Sequence, residues 1–168
     1  MNEQENHPLD SSSEEIRALL SPPPPILTGF HYEDMVDFLK LGEVRQYQNG
    51  DPVDETEDSG SPTAFMVVSG DVSLWGDGIQ LTRLNQGSFY GEAFLFKRET
   101  ESVTLQADSE LSILIFKRFE VLTYFKKRPA KLFNIFMKNI IELQQGKIKS
   151  MNQQIVQLKR RLLDQHQW

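Results

Sequence analysis

The sequence predicts a mainly β fold flanked by helices, a sandwich or barrel-like roll of short strands. Two observations support this prediction. Glycines recur from residue 42 to residue 91 and divide the chain into short apolar or alternating segments, which is typical of all-β folds. After residue 116 the apolar residues follow a helical period instead. The predicted strands cover 44–47, 64–68, 72–75, 79–84, 103–107 and 111–116.

Length and composition limit the classes of function. With 168 residues, 39% of them hydrophobic, the chain has the size of one domain with appendages. No segment approaches the roughly 18 to 20 apolar residues of a membrane span, and the acidic start is unlike a signal peptide, so we expect a cytoplasmic protein. The absence of cysteine excludes disulfides, thiol nucleophiles and cysteine-ligated zinc.

The histidines argue against an enzyme. His7, His31 and His166 are too far apart in the sequence to form a metal-binding pair. No serine has a histidine placed to activate it, so neither metal-assisted nor serine-dependent catalysis is indicated. We therefore expect no metal site and a non-catalytic protein.

Charge divides the chain into three parts. Residues 1–30 carry a net charge of -4, residues 31–125 carry -10, and residues 126–168 carry +8, within a total of -6. The acidic middle argues against a nucleic-acid-binding core. The basic end has three possible partners: an anionic macromolecule, the acidic body of the chain itself, or water.

The first 29 residues predict a leader without a core of its own. They are acidic and rich in serine, and Pro22 to Pro25 favour an extended conformation. We expect residues 1–29 to be disordered, except that Ser13 is placed to cap a short helix. That helix would carry Ile16, Leu19 and Leu20 on one face and would dock on the domain or on a partner.

Helical periodicity appears before and after the predicted strands. Residues 32–41 fit a short helix that ends at Gly42, and residues 119–125 fit another that ends before Pro129. A long helix follows within residues 130–168. Its heptad positions a are Ile141, Ile148, Ile155 and Leu162, and its positions d are Met137, Gln144, Met151 and Leu158.

This heptad predicts a parallel two-stranded coiled coil, and hence a homodimer. β-Branched residues at position a favour two strands. Gln144 at a d position and Gly146 inside the helix weaken the seam between the two helices, the glycine by about 1 kcal/mol relative to alanine. The alternative is a single amphipathic helix that packs on its own β-roll.

The order of elements and one motif resemble the cyclic-nucleotide-binding domain, as found in sensors of the catabolite-activator type. In that family a glycine, an aromatic residue and a Gly-Glu pair lead into a short helical turn, and an arginine follows nine or ten residues later. The matching positions are Gly87, Phe89, Gly91, Glu92, Phe94, Leu95, Ser102 and Ala107. The resemblance implies a double-stranded β-helix, or jelly roll, over residues 30–129, with 130–168 as the C-terminal helix.

The resemblance also implies a nucleotide pocket at this motif. Amides of a short helical turn donate to an anion, a family arginine adds a charge-assisted pair of hydrogen bonds, and the glutamate accepts from the ribose hydroxyl. Glycine before the glutamate permits close approach of the backbone. The implied pocket residues are Gly91, Glu92, Phe94, Leu95 and Ser102.

The motif departs from the family at the arginine. The ninth position after Glu92 is Glu101, an acid in place of the phosphate-binding base. Losing a charged hydrogen bond costs about 1.5 to 3 kcal/mol, and a carboxylate at about 4 Å from a phosphate adds about 1 to 4 kcal/mol of repulsion. Affinity for cyclic AMP or GMP therefore falls by roughly two to five orders of magnitude, which predicts a degenerate pocket.

Three alternatives stay open at this site. Arg98 or Lys97 would reach the phosphate if the loop folds differently, although alternating charges more often mark a solvated loop. A divalent cation would also bridge Glu101 and a phosphate, but no acidic cluster supports one. The ring of Phe94 would either fill the sugar-phosphate hollow or face the core across the turn.

These observations favour a regulatory or assembly module that acts through a protein partner, with no resident cofactor. A ligand sensor is the alternative, in which the roll still binds a cyclic mononucleotide or dinucleotide and moves the long helix. DNA binding needs further helices after Trp168 and is expected only if the sequence is a fragment. Lys159, Arg160 and Arg161 are better explained as the solvated flank of a coiled coil.

Overall fold

A computed structural model describes residues 14–53, 63–96 and 103–165. It confirms the predicted fold class, a β-roll with a short helix before it and a long helix after it. The helices are α1 (Glu14–Leu19), α2 (Tyr32–Leu39), α3 (Arg118–Lys126) and α4 (Ala130–Gln165), with 3₁₀ turns at Pro25–Leu27 and Glu92–Leu95. The strands are β1 (Glu43–Tyr47), β2 (Thr63–Ser69), β3 (Val72–Gly76), β4 (Ile79–Leu84), β5 (Phe89–Tyr90), β6 (Thr104–Ala107) and β7 (Leu111–Lys117).

The described strands form two antiparallel sheets. One sheet has the order β1-β7-β2-β5, and the other has the order β4-β3-β6. In the larger sheet β7 lies between β1 and β2, so that Ile115 is opposite both Glu43 and Phe65. The two residues of β5 are opposite Phe65 and Met66 of β2, which places the Glu92–Leu95 turn at the edge of this sheet.

Alternation along β2 sends its side chains to two separate cores. Ala64, Met66 and Val68 pack against the helices in what we call the helix-side core. Phe65 and Val67 point the other way, into the roll core between the two sheets. The larger sheet therefore separates the two cores, and the face of the sheet on which a residue of β2 lies decides which core it belongs to.

Phe38 of α2 lies at the centre of the helix-side core. Its ring is stacked on Phe116 of β7, with ring centroids 5.0 Å apart, and lies 5.3 Å from the ring of Phe136 in α4. Tyr124 and Phe125 of α3 complete the contacts at 5.8 and 6.1 Å. Aromatic pairs at these separations add to the stabilisation from burial alone. One side chain thus joins three helices to the sheet.

Arg128 joins α2 to the segment between α3 and α4. Its Nη2 donates to Oδ2 of Asp37 at 2.6 Å, and its guanidinium lies 4.0 Å from the ring centre of Tyr124. The Tyr124 hydroxyl donates to the carbonyl oxygen of Asp34 at 3.0 Å. Burial raises the pKa of Tyr124, although Arg128 acts in the opposite direction. The hydroxyl therefore remains a donor across the neutral range.

The prediction that the leader is disordered is wrong for residues 14–29, whereas the predicted short helix is present and docks on the domain. Ile16, Leu19 and Leu20 lie on the buried side of α1, and Ile26 and Leu27 are buried in the following 3₁₀ turn. All five belong to the helix-side core. A short apolar set was enough to dock this segment because α4 and the sheet supply the other side of the core. Residues 1–13, including Ser13, lie outside the described residues.

A buried side chain of α4 ties down this segment. Asn139 Nδ2 donates to the carbonyl oxygens of Ile26 at 2.9 Å and of Thr28 at 2.8 Å. Only 4% of Asn139 is exposed. Both hydrogens of its amide group are therefore used to satisfy backbone acceptors that have left water.

We expect Asn139→Leu to lower the free energy of unfolding by about 2 to 4 kcal/mol, because two carbonyl groups lose their donor. Chemical denaturation followed by circular dichroism measures this change. Lys138→Ala is the matched control, since Lys138 is exposed and forms only a surface pair with Glu142 at 3.5 Å, worth about 0.5 kcal/mol or less. Equal effects of the two substitutions would contradict the role of Asn139.

Helix α4 begins in the core and ends in solvent. Leu132, Phe136 and Ile140 are buried in the helix-side core, whereas every residue from Ile148 to Asp164 is exposed. The exposed part is about 25 Å long at 1.5 Å per residue. Within the described residues no helix is both long and apolar enough to cross a membrane.

Candidate functional site

The site is built around the sharp turn that follows β5. Gly91 has a φ of 82°, and a β-carbon at this position would lie 3.1 Å from the carbonyl oxygen of Thr63 and 3.3 Å from the Cα of Ala64. Only glycine combines this backbone conformation with such a close approach to β2. The Phe94 amide donates to the Gly91 carbonyl at 2.8 Å and closes the 3₁₀ turn over Glu92–Leu95.

Phe94 and Leu95 fix this turn from the helix side. The ring of Phe94 is fully buried in the helix-side core, 6.3 Å from the ring of Phe89, and Leu95 lies in the same core. Of the two orientations left open by the sequence, the structure has the ring facing the core. Phe94 therefore does not fill the hollow of the roll.

Glu92 is the buried charged group of the turn. Only 2% of the residue is exposed, and its Oε1 forms an ion pair with Nζ of Lys147 in α4. The same ammonium group lies 5.5 Å from the centre of the Tyr90 ring. A buried carboxylate requires a positive partner, and the aromatic face adds to the attraction for the cation. Tyr90, Glu92 and Lys147 thus form one cluster, which we call the lysine site.

Sequence reasoning missed Lys147. The charge asymmetry did leave the acidic body as one partner of the basic segment, but ten lysines and arginines lie between residues 126 and 168. Which of them meets an acid depends on how α4 crosses the sheet. That crossing is set by packing of distant residues, so it has no local signature in the sequence.

Part of the predicted pocket is not described. Arg98, Glu101 and Ser102, together with Lys97, lie outside the described residues. The structure brings together Gly91, Glu92, Phe94 and Leu95 in one turn, and the roles implied for the other three positions stay predictions. Among the described residues, no group of three or more histidine or acidic side chains is placed to hold a metal ion.

The predicted dimer helix presents a second candidate surface. Met137 packs partly against the helix-side core of its own domain. The remaining apolar heptad residues, between 47% and 59% exposed, form what we call the apolar stripe. The stripe consists of Ile141, Ile148, Met151, Ile155, Leu158 and Leu162.

A two-sheet antiparallel roll, a glycine-glutamate turn and a long helix that reaches this turn define a class of ligand-binding regulatory fold. The sequence profile of the cyclic nucleotide-binding domain matches residues 44–128. The chain therefore belongs to the cyclic nucleotide-binding domain family. No curated protein matches the sequence.

Solved structures agree on the fold. The catabolite activator protein of Thermus thermophilus is similar with a TM-score of 0.64 and 21% identity, over 80% of this chain and 63% of that protein. A cyclic nucleotide-binding domain from Methylobacillus flagellatus KT gives a TM-score of 0.67 and 15% identity, over 85% and 82%. The cAMP-bound protein PfPKA-R (residues 141–441) gives 0.56 and 18%, over 80% and 47%. This chain thus spans less than two thirds of the Thermus protein.

We expect Phe94→Ala to destabilise the fold by about 3 to 5 kcal/mol, because it leaves a cavity in the helix-side core. Phe96→Ala is the control. Phe96 is two residues away and 54% exposed, so its loss should change the free energy of unfolding by about 0.5 kcal/mol or less. Thermal and urea unfolding of both variants measure the difference. A mild effect at Phe94 would indicate that its ring lies in the hollow instead.

Proposed function

We propose that this chain is a non-catalytic regulatory or assembly module of the cytoplasm that acts through contacts with protein partners. Its roll, residues 30–129, belongs to the cyclic nucleotide-binding domain family but has lost ordinary binding of cyclic AMP and cyclic GMP. Its C-terminal part, residues 130–168, joins two copies into a homodimer. No resident cofactor is part of this proposal.

The observation that carries the loss of binding is the ion pair between Glu92 and Lys147. In the family this glutamate accepts a hydrogen bond from the ribose. Here a charged side chain of the same chain bonds one of its oxygens, and the carboxylate is almost fully buried. A nucleotide would have to displace the partly exposed Lys147 from a buried carboxylate before it made the same contact, which is costly.

The sequence supports the same conclusion independently. Glu101 is the ninth position after Glu92, where the family has an arginine for the phosphate. An acid there repels the anion and removes its strongest hydrogen bonds. Two of the polar contacts that would recognise a cyclic nucleotide are therefore altered, one to the sugar and one to the phosphate.

The apolar stripe supports dimerisation. Six apolar side chains follow one face of α4 at heptad spacing, and from Ile148 onward this face extends beyond the contacts of its own domain. An exposed helix segment of this length is marginal alone in water. Isoleucine at three a positions favours two parallel strands. A second copy supplies an identical stripe and would cover the first.

A ligand sensor remains the second candidate, and one observation favours it. The Gly91–Leu95 turn combines the Gly-Glu pair of the family motif with a Gly91 at positive φ that packs closely on β2. A cyclic dinucleotide or an altered mononucleotide would use the same turn and act through α4. Titration separates this candidate from the assembly module.

We expect the unchanged chain to show no binding of cyclic AMP, cyclic GMP or cyclic dinucleotides up to millimolar concentration in isothermal titration. Glu101→Arg should raise the affinity for cyclic AMP by about 100-fold or more, because it restores one charged hydrogen bond and removes the repulsion by the carboxylate. Glu110→Arg makes the same charge change at an exposed turn and should have no effect. Micromolar binding of cyclic AMP by the unchanged chain would establish the sensor instead.

We expect Ile155→Glu to turn the dimer into a monomer, because two buried carboxylates would face each other in the seam. Light scattering after size exclusion should then report one chain mass of 19.4 kDa rather than twice that value. Gln153→Glu adds the same charge at a heptad position outside the seam and should leave the dimer intact. A monomeric unchanged chain at micromolar concentration would contradict the proposal.

A further inference from the structure

The lysine site has the chemistry of an ammonium-binding site. Two groups contact the same cation, the Nζ of Lys147. The carboxylate of Glu92 forms an ion pair with it, and the centre of the Tyr90 ring lies 5.5 Å from it. A carboxylate combined with an aromatic face is a general solution for binding an ammonium group. A phosphate, in contrast, needs hydrogen-bond donors or cations, which a carboxylate and a ring face do not supply.

We propose that this ammonium site is a latch: Lys147 is its tethered ligand, and its binding holds α4 against the roll. Any ligand or partner that uses the Glu92 carboxylate must first displace Lys147 and thereby release the helix. The proposal concerns the described residues only and holds whether or not the chain binds a cyclic nucleotide.

The position of Lys147 along α4 supports this role. Leu143 is the last apolar residue of α4 that packs against the helix-side core. Lys147 follows one turn later with a partly buried side chain, and every residue from Ile148 to Asp164 is exposed. Among the described residues of α4, Lys147 is therefore the last one with a partly buried side chain, at the boundary between the docked and the exposed part of the helix.

The residue before Lys147 makes release easier. Gly146 lies in the helix with open space around its missing side chain, since a β-carbon there would contact nothing within 4 Å. No close packing requires glycine at this position, and glycine favours helix less than every residue except proline. Once Lys147 leaves Glu92, the helix can bend or fray at this point at low cost.

The latch makes occupancy of Glu92 and docking of α4 mutually exclusive. By thermodynamic linkage, a ligand at Glu92 lowers the equilibrium constant for helix docking by the same factor by which docking lowers the affinity for the ligand. The apolar stripe begins within two turns of Lys147, at Ile141 and Ile148. A change at the lysine site is thus transmitted to the surface that we propose for dimerisation.

Hydrogen exchange of the full chain tests the latch. We expect Lys147→Met to increase amide exchange at residues 141–150 by at least about tenfold, which corresponds to about 1.4 kcal/mol of lost docking energy. Lys147→Arg keeps the cation and should stay close to the unchanged chain. Lys149→Met removes an exposed lysine half a turn away and serves as the matched control. Equal exchange in all four proteins would overturn the proposal.

A double variant covers the case in which Lys147→Met fails to fold because Glu92 is left buried and unpaired. Glu92→Gln combined with Lys147→Met removes both charges, so that no buried charge is left uncompensated. We expect this protein to fold and to show the same fast exchange at residues 141–150. Slow exchange in the folded double variant would show that packing, not the ion pair, holds α4.

Chemical rescue identifies the ammonium group as the ligand. Millimolar ethylammonium chloride should bind the space that Lys147→Ala leaves beside Glu92 and raise the melting temperature of this variant, whereas sodium chloride at equal concentration should not. Glu92→Gln combined with Lys147→Ala lacks the carboxylate and should show no such difference. Stabilisation of both variants by ethylammonium, or of neither, would contradict an ammonium site at Glu92.

Discussion

Glu92 is 98% buried, and a buried carboxylate needs a positive partner. This requirement links the turn after β5 to the long helix α4. Glu92 follows Gly91, which can approach β2 closely because it has no side chain. Lys147 comes from the fifth turn of α4. Packing of distant residues sets where the long helix crosses the sheet, and the pairing of Glu92 with Lys147 adds to that docking. The phenylalanines and Asn139 anchor the first half of α4, and the ion pair lies where this docked part of the helix ends. The orientation of the apolar stripe depends on both.

The strands and the family motif were predictable because their signals are local. Glycines separate the strands, alternation marks their two faces, and the Gly91–Glu92 pair stands at the edge of β5 as the family pattern requires. Strand β5 escaped because two residues carry no period. The docking of the Pro25–Leu27 turn and the role of Lys147 escaped for another reason. The carbonyl group of Ile26 accepts a hydrogen bond from Asn139 more than a hundred residues later, and Glu92 pairs with Lys147 fifty-five residues later. Neither contact leaves a pattern in the neighbouring sequence.

The fold persists at identities between 15% and 21% because it depends on geometry more than on particular side chains. Many sequences can provide the features on which the fold depends: a positive φ at Gly91, a strand β2 with two buried faces, and a helix packed beside the sheet. The backbone geometry of the fold does not fix the partners of the polar groups in the turn. If the pocket glutamate has exchanged a sugar for a lysine, as we propose, family membership and ligand preference separate.

The docked leader has a consequence for the smallest piece of this protein that can stand alone. The family profile covers residues 44–128, yet Phe38, Ile16, Leu27 and Phe136, all outside it, are fully buried. A fragment cut at the profile limits would expose the apolar face of its larger sheet to water and aggregate. Truncation should therefore keep residues 14–43 and at least the first three turns of α4.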